Sequence, residues 1–295
     1  MRLGVFTTFT PEYTFEEACN LIKALGYVGV QPRVVADAST HFDPAKPYNP
    51  WSNNKGGIPE SEFFANPLKA LQAAANAGLE ITSIASYTNT SNMDRAVRMV
   101  KACSKAGIRN VRIGSMPLPR SPRFDYPKFL DASRGVYKEL VSEAKRHGVR
   151  PCLELHDGTA FPGPSGSIAF LRGFDPETVG VLYDPANMIS DGWEVPGLSI
   201  NILGPYLAEV HVKNSKWVPN RDDPRGVKTW KVESAYMEDG CVNWAEVIEQ
   251  LKLHRYTGWL VEEGNTQSHG RDTYTRLKMT HQLLTQLLAA DCWAG

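Results

Sequence analysis

Four apolar runs in the second half of the chain end in the same way, each with an acid or a histidine just before a turn. They are residues 152–156, 181–185, 208–213 and 259–264. In the first run Glu154 and His156 share one face, because successive side chains of a strand point to opposite sides. This pattern constrains the fold most, since it predicts buried strands whose carboxyl ends carry chemically active groups.

The same strand signal alternates with helical periodicity along the whole chain. We predict strands over residues 3–8, 29–31, 79–86, 110–114, 151–156, 179–183, 208–212 and 258–263. We predict helices over residues 15–25, 67–78, 93–106, 126–147, 165–172, 198–207, 244–254 and 274–290. Thr14 with Glu17 three residues on predicts a capping box at the first helix. Eight strand–helix units in 295 residues fit one α/β domain over residues 1–295, a closed (β/α)8 TIM barrel.

Residues 34–66 interrupt this alternation. The segment is rich in Pro, Asn, Gly and Trp and shows no regular periodicity, which in a compact domain indicates a functional loop or a disordered insertion. Its aromatic residues Phe42, Tyr48 and Trp51 argue against disorder. We expect an inserted loop after strand 2 that either covers the active site or makes an oligomer contact. A second irregular stretch, after Val212, is expected to be a long polar loop.

Composition argues against several classes of protein. Lys+Arg and Asp+Glu both number 32, so the formal net charge is zero and a nucleic-acid partner is not expected. No apolar run approaches the roughly 18 residues of a membrane span, and the first residues lack a signal-peptide pattern. The five scattered cysteines include no C-x-x-C pair, which favours a reduced, cytoplasmic setting. No Gly-x-Gly-x-x-Gly follows the first strand, so an open dinucleotide-binding sheet is disfavoured.

In a barrel, the carboxyl ends of the strands meet at one mouth. We expect Glu154, Asp184, His211 and an acid of the last strand to lie there together. Each residue taken singly is more often a hydrogen-bond acceptor or a packed core residue, but four consecutive strand ends favour a site. Crowded carboxylates and an imidazole need compensation, and a divalent cation supplies it: Mn²⁺ first, then Co²⁺ or Mg²⁺, and less distinctively Zn²⁺. Alternation leaves Glu262 and Glu263 as alternatives, since apolar residues lie on both faces.

Four phrases resemble the sugar phosphate isomerase/epimerase superfamily of TIM barrels. They are YDPANM (183–188), EVHVKN (209–214), DGCVNW (239–244) and YTGWLVEE (256–263). This superfamily includes ketose 3-epimerases, inosose dehydratases, hydroxypyruvate isomerases and endonuclease IV. The resemblance implies that one divalent metal is held by Glu154, Asp184, His211 and Glu263, and so it favours Glu263 over Glu262. It also implies a small-molecule sugar substrate and a homo-oligomer.

Two positions depart from the superfamily pattern. Asn187 stands where many members have a histidine, and Gln31 stands where many have a glutamate. Asn187 is therefore a candidate for substrate binding. Endonuclease IV resemblance would imply a histidine-rich trinuclear zinc site, yet only His156 and His211 lie at predicted strand ends. DNA repair is not expected.

The resemblance implies proton removal next to a carbonyl group, giving an enediolate that the cation stabilises. Glu154 and Glu263 would then serve as base and acid. In one outcome a ketose or keto-sugar is isomerised or epimerised. In the other the enediolate expels a neighbouring group, as in inosose dehydratase or in lyases acting on 3-oxo-glycosides and C-glycosides. A barrel kept as a binding or scaffold subunit is the non-enzymatic alternative.

Further residues near the predicted mouth are candidates for substrate contact. His156 shares the face of Glu154 and would contact a sugar hydroxyl, act as a second base, or serve a structural role. Lys213 shares the face of His211 and would bind an oxyanion or phosphate, or form an ion pair with Glu209 or Asp184. Candidates for stacking on a sugar ring, or for ordinary core packing, are Trp217, Trp51 and Tyr87.

Overall fold

The computed structural model describes residues 1–121, 123–264 and 270–291. Its strands are β1 Arg2–Phe6, β2 Gly29–Gln31, β3 Arg33–Val35, β4 Ile58–Pro59, β5 Glu80–Ile81, β6 Ile84–Asn89, β7 Asn110–Gly114, β8 Arg150–Glu154, β9 Gly180–Tyr183, β10 Leu207–Val212, β11 Asn214–Asp222, β12 Lys228–Ala235 and β13 Trp259–Glu262. Its α-helices are α1 Phe15–Ala24, α2 Glu60–Ala65, α3 Leu68–Asn76, α4 Met93–Lys105, α5 Tyr126–Arg146, α6 Pro164–Leu171, α7 Pro185–Asp191, α8 Pro196–Leu203, α9 Trp244–Leu253 and α10 Thr273–Ala289.

The main sheet is parallel and closes on itself. Its order is β4-β3-β6-β7-β8-β9-β10-β13-β1-β2-β5. β2 and β3 are two halves of one barrel strand, separated by Pro32, and they pair with β5 and β6 respectively. The amide of Thr82 donates to the Val30 carbonyl (3.0 Å) and the amide of Ala85 to the Pro32 carbonyl (3.1 Å). The prediction of a single TIM barrel fold is confirmed.

The predicted strand over residues 79–86 is wrong in its extent. The structure divides it into β5 and β6, and β6 continues to Asn89. The division lies opposite Pro32, which has no N–H to donate and so interrupts the ladder between the two neighbouring strands.

The expected polar loop after Val212 is also wrong. β11 and β12 form an antiparallel hairpin there, with Trp217 opposite Val232. Both strands carry many exposed polar side chains, so the apolar and polar residues do not alternate clearly. The sequence signal for a strand was limited to β-forming residues such as Trp217, Trp230 and Val232. Helix α7 was missed as well, and the helix predicted over residues 198–207 is α8, which ends at Leu203 before a 3₁₀ turn.

Residues 34–66 contain regular elements that the sequence did not predict: the end of β3, a 3₁₀ turn Asp37–Ser39, strand β4 and helix α2. Asn54, which is buried, ties the irregular part to the barrel because its Nδ2 donates to the Thr8 carbonyl at 2.8 Å. The interpretation of residues 34–66 as an insertion stays a prediction.

The helices cover the outside of the barrel, and six of the ten described α-helices begin at a residue whose side chain caps the first turn. The capping box of α1 is confirmed, since the Thr14 amide donates to Glu17 Oε2 (2.8 Å) and the Glu17 amide donates to Thr14 Oγ1 (3.3 Å). Within the described ranges, none of the helices combines the length and the apolar character that crossing a membrane requires.

Candidate metal centre

Four predicted ligands lie at the carboxyl ends of four adjacent barrel strands. Glu154 ends β8, His211 lies near the end of β10, and Glu263 directly follows β13. Asp184 follows β9 and caps α7, accepting at Oδ1 from the amides of Ala186 (3.1 Å) and Asn187 (3.0 Å). Parallel strands therefore deliver all four side chains to the mouth where TIM-barrel sites are built.

The four side chains approach one point. One ligand atom from each of Glu154, Asp184, His211 and Glu263 lies within 4.8 Å of the others. His211 Nδ1 is 3.0 Å from Glu263 Oε2, 3.3 Å from Glu154 Oε1 and 4.0 Å from Asp184 Oδ2. Ligand atoms bound about 2.1 Å from one cation lie roughly 3–4 Å apart, so this spacing fits a single ion.

Two buried atoms of this cluster support a metal ion at this position. Glu154 Oε1 and His211 Nδ1 have no hydrogen-bond partner among the described residues, and the His211 side chain is fully buried. Buried polar atoms without partners are rare and costly. A mixed oxygen and nitrogen donor set without a thiolate is one that suits Mn²⁺, Mg²⁺, Co²⁺ or Zn²⁺.

Arg112 is a site residue that the sequence analysis missed. Its Nη1 donates to Glu154 Oε2 at 2.7 Å, its Nε donates to the Ser86 carbonyl at 2.9 Å, and its guanidinium lies 4.4 Å from the centre of the Tyr87 ring. Burial alone would raise the pKa of Glu154, but the charge of Arg112 and the neighbouring His211 together lower this pKa to about 2. The sequence signal was one arginine inside the otherwise uncharged strand β7.

Lys213 lies beside two of the carboxylates. Its Nζ is 2.8 Å from Asp184 Oδ2 and 3.0 Å from Glu263 Oε2. Burial raises the pKa of Asp184 to about 6 although Lys213 opposes it. Burial also raises the pKa of Glu263, but Lys213 and His211 together outweigh burial and hold this pKa well below its usual range. Burial would lower the pKa of His211, yet the charge of Glu263 and the close carboxylates of Glu154 and Glu209 hold it well above the ordinary value.

Asn187 holds Asp184 in place. Its Nδ2 donates to Asp184 Oδ2 at 2.8 Å and to the Leu155 carbonyl at 3.2 Å. The side chain thus orients one predicted ligand while also lining the cavity above it.

A cavity of about 550 Å³ opens above the cluster. Besides the four proposed ligands, the sequence suggested six substrate-binding or catalytic residues. Five of them line this cavity: Trp51, Tyr87, His156, Asn187 and Lys213. His156 is not part of the four-residue cluster; its Nδ1 lies 2.9 Å from the Asp157 carbonyl oxygen. Trp217 lies on the β11–β12 hairpin, is 45% exposed, and is not in the cavity lining.

The sequence matches the xylose isomerase-like TIM barrel family over residues 19–282. The chain belongs to this family. The match covers most of the chain and confirms the superfamily indicated by the four sequence phrases.

Curated relatives of this xylose isomerase-like chain include two inosose dehydratases. The protein from Bacillus licheniformis is 28% identical over 131 residues, which is 41% of each chain. The protein from Lactiplantibacillus plantarum is 22% identical over 177 residues, 57% of each chain. The chain thus spans about half the length of the curated relatives that it matches.

Solved structures of similar shape extend over nearly the whole chain. D-psicose 3-epimerase from Clostridium cellulolyticum H10, solved with D-tagatose, has a TM-score of 0.70 and 16% identity, covering 98% of this chain and 100% of its own. The 3-keto-D-glucoside 4-epimerase from E. coli has a TM-score of 0.69 and 14% identity, covering 97% and 99%. A xylose isomerase-like TIM barrel protein from Mycobacterium smegmatis, in complex with magnesium, has a TM-score of 0.66 and 18% identity, covering 97% and 96%. These structures share the fold of this chain.

Proposed function

We propose that the chain is an enzyme that requires one divalent cation and isomerises or epimerises a ketose or keto-sugar. The observation that carries this proposal is the four-residue cluster, in which two of the three carboxylates, Glu154 and Glu263, come from separate strands and line the cavity. Structural neighbours that are sugar 3-epimerases and a keto-glucoside 4-epimerase support the choice of substrate class.

The cation is proposed to lie among Glu154, Asp184, His211 and Glu263. When bound, it would supply Lewis-acid stabilisation of the negative charge that develops on the substrate oxygen during proton removal. We propose Mn²⁺ as the preferred ion, since carboxylate-rich sites with one imidazole suit it.

Glu154 and Glu263 are proposed to move the proton. Both carboxylates have depressed pKa values, so both are ionised at neutral pH and able to accept a proton from carbon. They come from β8 and β13, with β9 and β10 between them in the sheet. A substrate lying across the mouth would have one carboxylate on each side. One would remove the proton from carbon and keep it, and the other, after taking up a proton from solvent, would deliver that proton to the opposite face.

The residues around the cluster are proposed to bind and orient the sugar. Lys213, next to two of the carboxylates, would stabilise an oxyanion of the substrate. His156 at the cavity wall would contact a hydroxyl group or act as a second base. Trp51 and Tyr87, whose ring centres are 6.3 Å apart, would pack against the ring of the sugar.

A second candidate is a lyase, and the sequence similarity to two inosose dehydratases favours it. In this reaction the C–H bond next to the carbonyl breaks first, as before. A carbon–carbon double bond then forms while a neighbouring C–O bond breaks, and the leaving oxygen takes up a proton. The same two glutamates would serve both reactions, so the substrate decides the outcome.

Hydrogen exchange with solvent separates the two reactions. The Mn²⁺-loaded enzyme is incubated in D₂O with panels of ketoses, inososes and 3-oxo-glycosides, and the products are analysed by NMR and mass spectrometry. The isomerase or epimerase gives an isomeric sugar with deuterium next to the carbonyl, whereas the lyase gives an unsaturated product and a released group. Glu154→Gln and Glu263→Gln lose this exchange, while the surface variant Glu177→Gln keeps it. Absence of exchange with every substrate would contradict the proposal.

Residues 34–66 are proposed to cover the mouth. Trp51 from this segment contacts the barrel residue Phe9, with ring centres 5.6 Å apart, and forms part of the cavity wall. The cover would shield the proton transfer from bulk water.

A further inference from the structure

We propose that Glu209 is a positioning residue that fixes the imidazole of His211 in the form able to bind the cation. This inference rests on the proposed function, because the cation is the ligand concerned. It adds a buried residue that is not part of the cavity lining.

Glu209 and His211 are two residues apart in β10, so both side chains point into the barrel. Both are 0% exposed. Glu209 Oε1 lies 3.4 Å from His211 Nε2, on the side of the ring away from the other three ligands. TIM-barrel interiors are mostly filled by branched apolar side chains, so a carboxylate at this depth is unusual.

The hydrogen atoms of the surrounding network define the role of His211 Nε2. Gln31 Nε2 donates to Glu209 Oε1 and also to Ser83 Oγ, 2.7 Å away. Ser83 gives its own hydrogen to Glu209 Oε1 at 3.0 Å. An amide nitrogen carries only two hydrogens, so none remains for His211 Nε2, although the two nitrogens are 3.2 Å apart. A bare His211 Nε2 would direct its lone pair at the Glu209 carboxylate 3.4 Å away, so we infer that Nε2 carries a hydrogen that faces Glu209.

The position of this hydrogen decides which ring nitrogen can bind a cation. A neutral imidazole with its hydrogen on Nε2 has a free lone pair on Nδ1. Nδ1 is the atom that faces Glu154, Asp184 and Glu263. A carboxylate that accepts the distal hydrogen of a ligating histidine also makes the ring a stronger ligand.

Glu209 carries a cost for stability. Among the described residues its buried Oε2 has no hydrogen-bond partner. The observed contacts instead converge on Oε1, the atom nearest His211. Of the two ion-pair partners that the sequence suggested for Lys213, the structure shows Asp184 and not Glu209, and Lys213 also contacts Glu263.

The test compares Mn²⁺ binding by variants of the full-length chain, using isothermal titration of metal-free protein with Mn²⁺ alone. Glu209→Leu, which removes the acceptor, is expected to weaken binding about 10–100-fold. Glu209→Gln keeps an acceptor oxygen without the charge and should restore part of the affinity. Glu60→Gln is the matched control, since Glu60 is another buried carboxylate that is held by Arg95 at 2.6 Å and is not a partner of His211. It should bind Mn²⁺ as the wild type does.

A second readout follows the hydrogen directly. NMR of protein labelled with ¹⁵N-histidine, with His211 assigned from a His211→Asn variant, should show a hydrogen on Nε2 in the wild type both with and without the cation. The NMR measurement tests the role of Glu209 even if Glu209→Leu does not fold or if the wild type binds no Mn²⁺. Absence of Mn²⁺ binding by the wild type would contradict the proposed function, but it would not by itself contradict a hydrogen on His211 Nε2. A bare Nε2 in the wild type would overturn the inference. So would wild-type Mn²⁺ affinity in a folded Glu209→Leu protein, or an equal loss of affinity in Glu60→Gln.

Discussion

Glu262 and Glu263 are neighbours in the chain, yet their buried carboxylates lie on opposite faces of the last barrel strand. Glu262 faces the helices, where it accepts hydrogen bonds from Arg276 and from Tyr27 (3.1 Å). Glu263 faces the barrel mouth, 3.0 Å from both His211 Nδ1 and Lys213 Nζ. Two chemically identical substitutions at adjacent positions therefore act on different parts of the molecule.

Glu263→Gln is expected to abolish tight Mn²⁺ binding and to lower turnover by several orders of magnitude, with a smaller loss of stability than at position 262, because Lys213 keeps its contact with Asp184. Glu262→Gln should leave Mn²⁺ binding and turnover close to the wild-type values and should lower the stability of the fold. Removing one member of a buried ion pair costs about 3–5 kcal/mol, since Arg276 is left without its charged partner. Urea unfolding and Mn²⁺ titration of both variants measure the two effects. If the two variants exchanged these properties, the assignment of Glu263 to the site would be wrong.

Arg112→Leu is expected to lower kcat/KM by on the order of 100-fold or more, because Glu154 then loses the charge that keeps it ionised and oriented. Arg112→Lys keeps the charge but not the second hydrogen bond to Ser86, so it should be intermediate. Steady-state kinetics on the substrate identified by deuterium exchange provide the measurement. Equal activity in Arg112→Leu and the wild type would exclude a role for the ion pair in catalysis.

Trp51→Ala is expected to raise KM roughly tenfold, equivalent to about 1.4 kcal/mol of binding energy, with a smaller effect on kcat. Trp51 forms part of the cavity wall, whereas Trp217 on the hairpin does not. Trp217→Ala is therefore the matched control and should leave KM near the wild-type value. A larger effect at Trp217 than at Trp51 would place the substrate against the hairpin instead.

The described cysteines should react very unequally with iodoacetamide in the native protein at pH 8. Burial raises the pKa of Cys19 and of Cys152 to about 12, and it raises that of Cys103 as well. These thiols stay protonated and inaccessible at pH 8, since only the thiolate reacts. Cys241 is exposed and should be modified first. Peptide mapping by mass spectrometry identifies each site, and early labelling of Cys103 would contradict the packing of α4.

Much of the barrel could be predicted from the sequence because apolar residues recur with a clear strand or helix periodicity along most of the chain. Apolar runs ending in Glu154, Asp184 and His211 placed three ligand candidates correctly at one mouth, since parallel strands share a direction. Alternation could not choose between Glu262 and Glu263, because both faces of a barrel strand are buried, one in the barrel and one under helices. Only the resemblance indicated Glu263.

The missed residues depend on contacts between distant parts of the chain. Arg112 contacts Glu154 at a separation of 42 residues, and Glu209 contacts Gln31 at a separation of 178 residues. Helix and strand periodicity relates residues a few positions apart, so it carries no information about contacts over such separations. The β11–β12 hairpin was missed for a different reason, since its exposed strands carry few apolar residues and resemble a loop.

Metal binding should also stabilise the fold. A ligand that binds only the native state at a concentration 100-fold above its Kd contributes about 2.7 kcal/mol. Thermal unfolding of EDTA-treated protein should therefore shift upward as Mn²⁺ is added, and the shift should vanish in Asp184→Asn. A shift of equal size in that variant would indicate binding elsewhere.

Glu154, Asp184, His211 and Glu263 are proposed to hold one cation together. Equilibrium dialysis against Mn²⁺, followed by metal analysis of the protein, measures whether they do. We predict one ion per chain in the wild type and a loss of that ion in His211→Ala and in Glu263→Gln. Wild-type protein without stoichiometric metal, or variants that retain a full equivalent, would contradict the account.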